Sequence, residues 1–381
     1  MNRVMMLVPC FMIFLVPLIS ASQIGASPLP WVKVAPDQKG FVLDPGGSSF
    51  VPWGFNYDRD DSARLLEDYW EAGWPDVVAH FTRMKAMGAN VVRVHLQLGS
   101  FMESPRKPRA RALDRLGQLV RLAERLRLYL DLTGLGCYHA KDVPVWYDRL
   151  SESDRWDVQA RFWRAVAEKT RNSPAVFCYD LMNEPVVSGT RRSDGNWLAA
   201  AWAGSCFVQF ITLDPGNRTR SDIARQWMRR LVSAIRDVDR RHLITVGLLD
   251  WSSDRPGSLS GFLPEVVSPE VDFVSVHIYP EKGKVEELVR AFKSFAVGKP
   301  VLVEEMFPLR CSAQELEQFI DESKDTAAGW LGFYWGKPPE ELRKSKTIVD
   351  ALTLGWLEMF QRKAAEIGAP RAQRALPMSA R

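Results

Sequence analysis

Residues 176–185 read VFCYDLMNEP, an apolar run of strand length that ends in Asn183, Glu184 and Pro185. Proline has no N–H to give a sheet ladder, so the polar pair lies at the strand's C-terminal end. Taken alone, this is an ordinary strand closing in a solvated turn. A second ending of the same kind changes the reading: residues 299–307 (KPVLVEEMF) form another β-branched run that finishes on Glu304 and Glu305. Hydrolysis of a glycosidic bond needs one carboxyl group to protonate the departing oxygen and another to meet the oxocarbenium-like carbon. Glu184 and Glu305 are therefore the candidate catalytic pair.

Strands that alternate with helices would bring two such ends together. Strand runs are expected at residues 50–57 (FVPWGFNY), 90–96 (NVVRVHL), 128–133 (LYLDLT), 243–249 (LITVGLL), 271–279 (VDFVSVHIY) and 329–336 (GWLGFYWG), besides the two already named. Helical spacing marks the segments between them, as at Val77, Phe81 and Met84, or at Trp227, Leu231 and Ile235. Ser312 followed by Glu315 is a capping box that opens another helix, and a closing helix is expected at 348–360. The fifth helix falls where Gly, Pro and Ser crowd residues 250–270, and is expected to be short. This alternation predicts an α/β fold, a (β/α)8 TIM barrel forming a single catalytic domain over 23–367, with its site at the C-terminal strand ends. An open doubly wound sheet is the alternative, but no Gly-rich phosphate loop follows the first strand. Residues 188–221, with Trp197, Trp202, Phe207 and Phe210, are longer than an ordinary strand-to-helix loop and would overhang the mouth.

The chain's 50 basic and 46 acidic residues leave +4, with arginines scattered along helices, so no nucleic-acid footprint is read. Residues 1–22 carry one Arg, an apolar run and then small residues, the order of a secretory signal peptide, which makes the protein secreted or periplasmic. A membrane anchor is the rival, disfavoured by the short run and the lack of a basic flank after it. No membrane association is expected once the signal is cleaved. The expected partner is an oligo- or polysaccharide, and the chain is expected to be a monomer. Residues 23–50 suggest a lead-in with a short hairpin covering the barrel's bottom, and residues 368–381 a disordered tail. Cys178, inside an apolar strand, reads as a small buried residue. The five histidines form no His-x-x-x-His or His-Glu pair, so neither a metal nor an organic cofactor is expected.

With YDLMNEP and KPVLVEE in place, the sequence resembles glycoside hydrolase family 5, part of a clan of retaining β-glycosidases. The resemblance implies that Glu184 is the acid/base and Glu305 the nucleophile, with Asn183 on the sugar 2-hydroxyl. It implies further that Arg93 lies beside the nucleophile, keeping it ionised, that His277 and Tyr279 lie nearby, and that Trp335 floors the first sugar subsite. Asn56, at the end of the first strand, joins the substrate-binding candidates. The family's frequent histidine after strand three is replaced by Thr133 and Gly134, so His139 is the nearest candidate. Strand parity separates the adjacent carboxylates. If Val301 and Val303 line the barrel, Glu305 faces the mouth and Glu304 faces away, unless a bulge intervenes. The implied function is a secreted retaining hydrolase of β-glucan, β-mannan or a related β-glycoside; the rival is a catalytically inactive carbohydrate-binding barrel.

Overall fold

Pro52 cannot donate to a ladder, so the first expected strand divides there. Phe50 closes a small N-terminal sheet and the barrel begins at Trp53. The computed structural model describes residues 28–60, 62–252, 260–333 and 336–368. Within them, β1 (Trp53–Tyr57), β2 (Val91–Gln97), β3 (Tyr129–Gly136), β4 (Val176–Asn183), β5 (Leu243–Leu249), β6 (Val274–His277), β7 (Val301–Met306) and β8 (Ala327–Gly332) form a closed parallel barrel in sequential order. The ring closes where β8 pairs with β1, Trp330 opposite Trp53. Compared with expectation, β3 ends three residues later, β6 is confined to four residues, and β8 starts two residues earlier.

Outer helices bury the faces that their spacing foretold. Trp74–Ala86 buries Val77, Phe81 and Met84, and Arg220–Arg236 buries Trp227, Leu231 and Ile235. Ser151, Thr219 and Ser312 each accept the backbone N–H three residues on, satisfying an otherwise orphaned donor. The Ser312–Glu315 capping box is present as expected. The fifth helix is the single turn Pro264–Val267. The last helix, Ile348–Gly368, runs well past residue 360 and takes in Gly368, which the sequence had assigned to the tail. Its Phe360 stacks on Trp53 at 4.5 Å and on Phe55 at 3.9 Å, sealing the outer face of β1.

At the opposite end from the site, Trp31–Val34, Phe41–Asp44 and Ser49–Phe50 form the antiparallel sheet that the lead-in suggested. Phe41 packs edge-on against Phe177, at the start of β4, and Phe273, just before β6, with centroids 5.1 Å from each. These large buried rings plug the barrel's N-terminal end. Residues 1–22 and the tail beyond Gly368 lie outside the described residues. No helix among the described residues is long and apolar enough to cross a membrane. Cys137, Cys178, Cys206 and Cys311 are free thiols, and Cys178 is buried as expected.

Candidate active site

Bulges decide which side chains reach the mouth. On β4, Asp180 lies opposite Thr245 while Asn183 lies opposite Gly247, so one extra residue is inserted there. On β7, Val303 lies opposite Val276 but Glu305 lies opposite His277, so Glu304 is the extra residue. A bulge re-aims the side chains beyond it, and both occur where carboxylates are presented. Glu184 follows its bulge with φ 46°, in the left-handed region that a non-glycine residue adopts at a cost. Two backbone bonds hold it there: its N–H donates to Gly247 O at 3.1 Å, and its carbonyl accepts from Gln209 N at 3.4 Å.

Glu305 reaches the mouth through the bulge and not by the strand parity expected for it. Glu304 also points inward, 3.6 Å from Arg93 Nη2 and 3.5 Å from His277 Nε2, one layer deeper. Leu302 shares its parity, so Val301 and Val303 face the helices. The bulge then turns Glu305 inward as well.

Arg93 of β2 is the hub. Its Nη1 donates to Glu305 Oε1 at 2.6 Å and to Asn56 Oδ1 at 2.8 Å, and its Nη2 donates to Asp180 Oδ2 at 2.7 Å and Asn183 Oδ1 at 3.0 Å. Burial opposes its charge, but Glu304, Asp180 and Glu305 outweigh it and hold the guanidinium well above its ordinary range. Tyr279 donates to the other oxygen, Glu305 Oε2, at 2.7 Å. Burial, then Glu305, raises the Tyr279 phenol well above its usual range, so it remains a donor. His277 lies between the glutamates: Nδ1 is 2.8 Å from Glu184 Oε1 and 3.3 Å from Glu305 Oε2. Oxygens of Glu184 and Glu305 and a nitrogen of His277 all fall within 4.8 Å of one another. Burial works against a charged His277, but Glu305, Glu184 and Glu304 raise its imidazole to about 10, so the ring is a cation at neutral pH.

Asn56 is brought to this cluster in a different role from the one expected. It is wholly buried; its Nδ2 donates to the carbonyls of Glu304 (2.9 Å) and Gly332 (3.2 Å), and its Oδ1 accepts from Arg93. With its amide saturated by protein, it positions Arg93 and has nothing left for a sugar. His139 is not brought to the pair. Near the end of β3, Leu135 turns through φ 61°, and beyond the strand Tyr138 points inward, its hydroxyl 2.7 Å from His95 Nδ1, which leaves His139 facing outward. It lies 3.1 Å from Asp142 on a separate cavity of about 220 Å³. Trp335 falls outside the described residues.

Sequence reasoning passed over Asp180, Asp131, His95 and Tyr138, which form the layer beneath the mouth. A usable signal existed: a lone charged residue inside an apolar strand, as in CYDLM or YLDLT, is buried and requires a partner. Close packing there also explains Gly247. A Cβ at that position would come within 2.9 Å of His277 Nε2, 3.0 Å of Glu304 Oε2 and 3.2 Å of Arg93 Nη2. Among the described residues, three groups of acidic and imidazole side chains come close enough to share an ion: Asp68–His139–Asp142, Glu184–His277–Glu305 and Asp131–Asp180–Glu304. In the last two, Arg93 or His277 already supplies the positive charge, so they are ion-pair networks.

Asn183, Glu184, His277, Tyr279 and Glu305 open onto a cavity of about 700 Å³. The loop after β4 supplies one wall through Trp202 and Phe207, and Phe333 lines it as well. That loop is tied down: Gln209–Thr212 pairs in parallel with Pro185–Val187, and Asn183 Nδ2 donates to Phe207 O at 3.2 Å.

A parallel barrel with two strand-end carboxyls bridged by an imidazolium, one of them held by Arg and Tyr, defines a class: barrels equipped for acid–base and nucleophilic chemistry on one bond. The family model "Cellulase (glycosyl hydrolase family 5)" matches residues 67–338, and the chain belongs to that family. Mannan endo-1,4-beta-mannosidase A of Podospora anserina is 25% identical over 276 residues, covering 64% of this chain and 64% of its own length. Mannan endo-1,4-beta-mannosidase 2 of Arabidopsis thaliana is 27% identical over 124 residues, 29% of this chain and 22% of its own length. The chain thus spans less than two thirds of either relative. Among solved structures, an exo-beta-1,4-mannosidase from Opitutaceae bacterium strain TAV5 matches with TM-score 0.65 and 18% identity, covering 88% of this chain and 62% of that one. An endo-1,4-beta-mannanase from Rhizomucor miehei matches with TM-score 0.60 and 17% identity, covering 86% and 99%. These likenesses bear on the fold.

Proposed function

We propose that the protein is a secreted, retaining β-glycoside hydrolase acting on β-mannosidic linkages, with Glu305 as nucleophile and Glu184 as acid/base. The observation that carries this is the placement of the two carboxyl groups, whose oxygens lie within 4.8 Å of His277 and of each other. That spacing suits direct attack by a carboxylate and leaves little room for the intervening water of an inverting site. Glu305, held by hydrogen bonds from Arg93 and Tyr279, attacks the anomeric carbon while Glu184 protonates the departing oxygen. Water, deprotonated by Glu184, then releases the sugar from Glu305. Asn183, fixed through Arg93 and Phe207 O, is placed to bond the sugar beside the reacting centre.

Mannan is favoured over glucan because the similar proteins of Podospora anserina and Arabidopsis thaliana are mannan endo-1,4-beta-mannosidases. The anchored loop, with Trp202 and Phe207 on the cavity wall, supports a narrowed cleft and a preference for short oligosaccharides or chain ends. Residues 1–22 are proposed to direct export. Turnover of aryl β-mannosides, manno-oligosaccharides, galactomannan and β-glucan, with product lengths followed over time, tests the reading. Release of short products from mannan-type substrates supports it. Viscosity of mannan falling well before reducing ends accumulate would remove the chain-end preference, and no turnover of any of them would favour a binding barrel.

A further inference from the structure

One layer below the mouth, Asp131 of β3, Asp180 of β4 and Glu304 of β7 bring carboxylate oxygens within 4.8 Å of one another, all of them wholly buried. Asp180 is accounted for, because Arg93 Nη2 donates to it at 2.7 Å and Gly247 N–H at 2.8 Å. The other two are not. Neither oxygen of Asp131 and neither oxygen of Glu304 has a hydrogen-bond partner. Glu304 stands at ion-pair distance from Arg93 (3.6 Å) and His277 (3.5 Å), whereas no ion pair joins Asp131 to either.

Charge counting makes the arrangement uneven. Five carboxyl groups (Asp131, Asp180, Glu184, Glu304, Glu305) surround two cations, Arg93 and His277. Of the other titratable groups nearby, Arg59 and Asp58 pair with each other at 3.7 Å, burial raises the thiol of Cys178 and the phenols of Tyr138 and Tyr279, and burial with Arg93 lowers His95 well below its ordinary range. A buried ionised carboxylate without a donor is costly, and two carboxyls this close share a proton more readily than either loses it.

We propose that Asp131 keeps its proton and donates it to Glu304, and that ionised Glu304 is the counter-ion holding His277 as a cation between the two mouth glutamates. Both orphaned carboxyls then gain a partner from a single proton. The proton belongs on Asp131, because only Glu304 of the two is within reach of the cations. In the same sense, burial and then Glu304 hold Asp131 well above the carboxylate range, while Arg93 and His277 outweigh burial and hold Glu304 below it. The line runs Asp131 O–H to Glu304, Glu304 to His277 Nε2–H, and His277 Nδ1–H to Glu184. Glu304 is thus a positioning residue acting through His277. Only its kinetic consequence rests on the proposed roles of Glu184 and Glu305.

Infrared difference spectroscopy of the full chain at neutral pH reads the proton directly. Wild type should show, among its acid carbonyl stretches, a band that is lost in Asp131→Asn and kept in Glu184→Gln. In Glu304→Gln, NMR of the His277 ring should show deprotonation at least about one pH unit lower than in wild type, a tenfold loss of proton affinity. In that variant kcat should fall with KM little changed, and Glu304→Asp should recover part of kcat. Acid carbonyl absorption unchanged in Asp131→Asn, a divalent ion retained stoichiometrically by purified wild type, or an unmoved His277 titration would each overturn the proposal. Should Glu304→Gln fail to fold, the Asp131→Asn spectrum decides alone. A wild type that shows the band yet turns over no glycoside would sink the hydrolase reading and leave this one standing.

Discussion

Arg93 donates to four side chains from β1, β4 and β7, so its two substitutions separate charge from geometry. Arg93→Ala strands buried carboxylates and should cost about 3–5 kcal/mol of stability, read by denaturant unfolding. Arg93→Lys keeps a charge but loses the planar fork, so it should remain folded with kcat down by orders of magnitude. Full activity in the lysine variant would show that the fork is not needed. Glu184 is tested by leaving group: Glu184→Ala should spare aryl glycosides with acidic phenols far more than substrates whose oxygen must be protonated. Equal losses on both would remove the acid role. At this scale the sequence was legible where a residue type has one plausible use at a strand end, as with Glu184, Asn183 and Tyr279. Legibility failed where the use depends on neighbours across the barrel: Asn56 looked like a sugar ligand because the carbonyls of Glu304 and Gly332 that saturate it lie far away in sequence.

Among the elements, the strands were readable because each is an apolar run bounded by a helix stop or a turn residue. Their bulges were not. A bulge is a property of the register between two strands, and nothing local in VEEM or DLMN announces the extra residue. That is why parity misjudged the valines of β7 while Glu305 still reached the mouth. The loop after β4 was recognisable from its length and aromatics, and the structure adds the short parallel pairing that moors it. Trp202 is 53% exposed and lines the cavity. Replacing it with Ala should leave the melting temperature unchanged and raise KM for manno-oligosaccharides roughly two- to tenfold, with kcat little altered. Unchanged KM on every oligosaccharide length would show that the loop wall does not touch substrate.

For the molecule as a whole, the buried ion network ties stability to pH. The His277 imidazole is raised from its ordinary 6.5 to about 10, so folding takes up a proton there. That contribution is complete below about pH 6.5 and is lost as pH climbs through about 10. Calorimetric melting temperatures should therefore fall more steeply between pH 7 and 10 in wild type than in His277→Gln, and parallel curves would contradict the assignment. The barrel, its plugged bottom and its C-terminal mouth followed from the alternation of strands and helices, while the layer of charge beneath the mouth came only with three-dimensional packing. The central claim is that Glu305 attacks the sugar, and covalent trapping tests it most directly. Incubation with a 2-deoxy-2-fluoro-β-mannoside bearing a good leaving group should leave one sugar on the protein, and peptide fragmentation should place it on Glu305. Label on Glu304, or Glu305→Ala enzyme that still turns over an activated substrate at near-normal rate, would contradict the account.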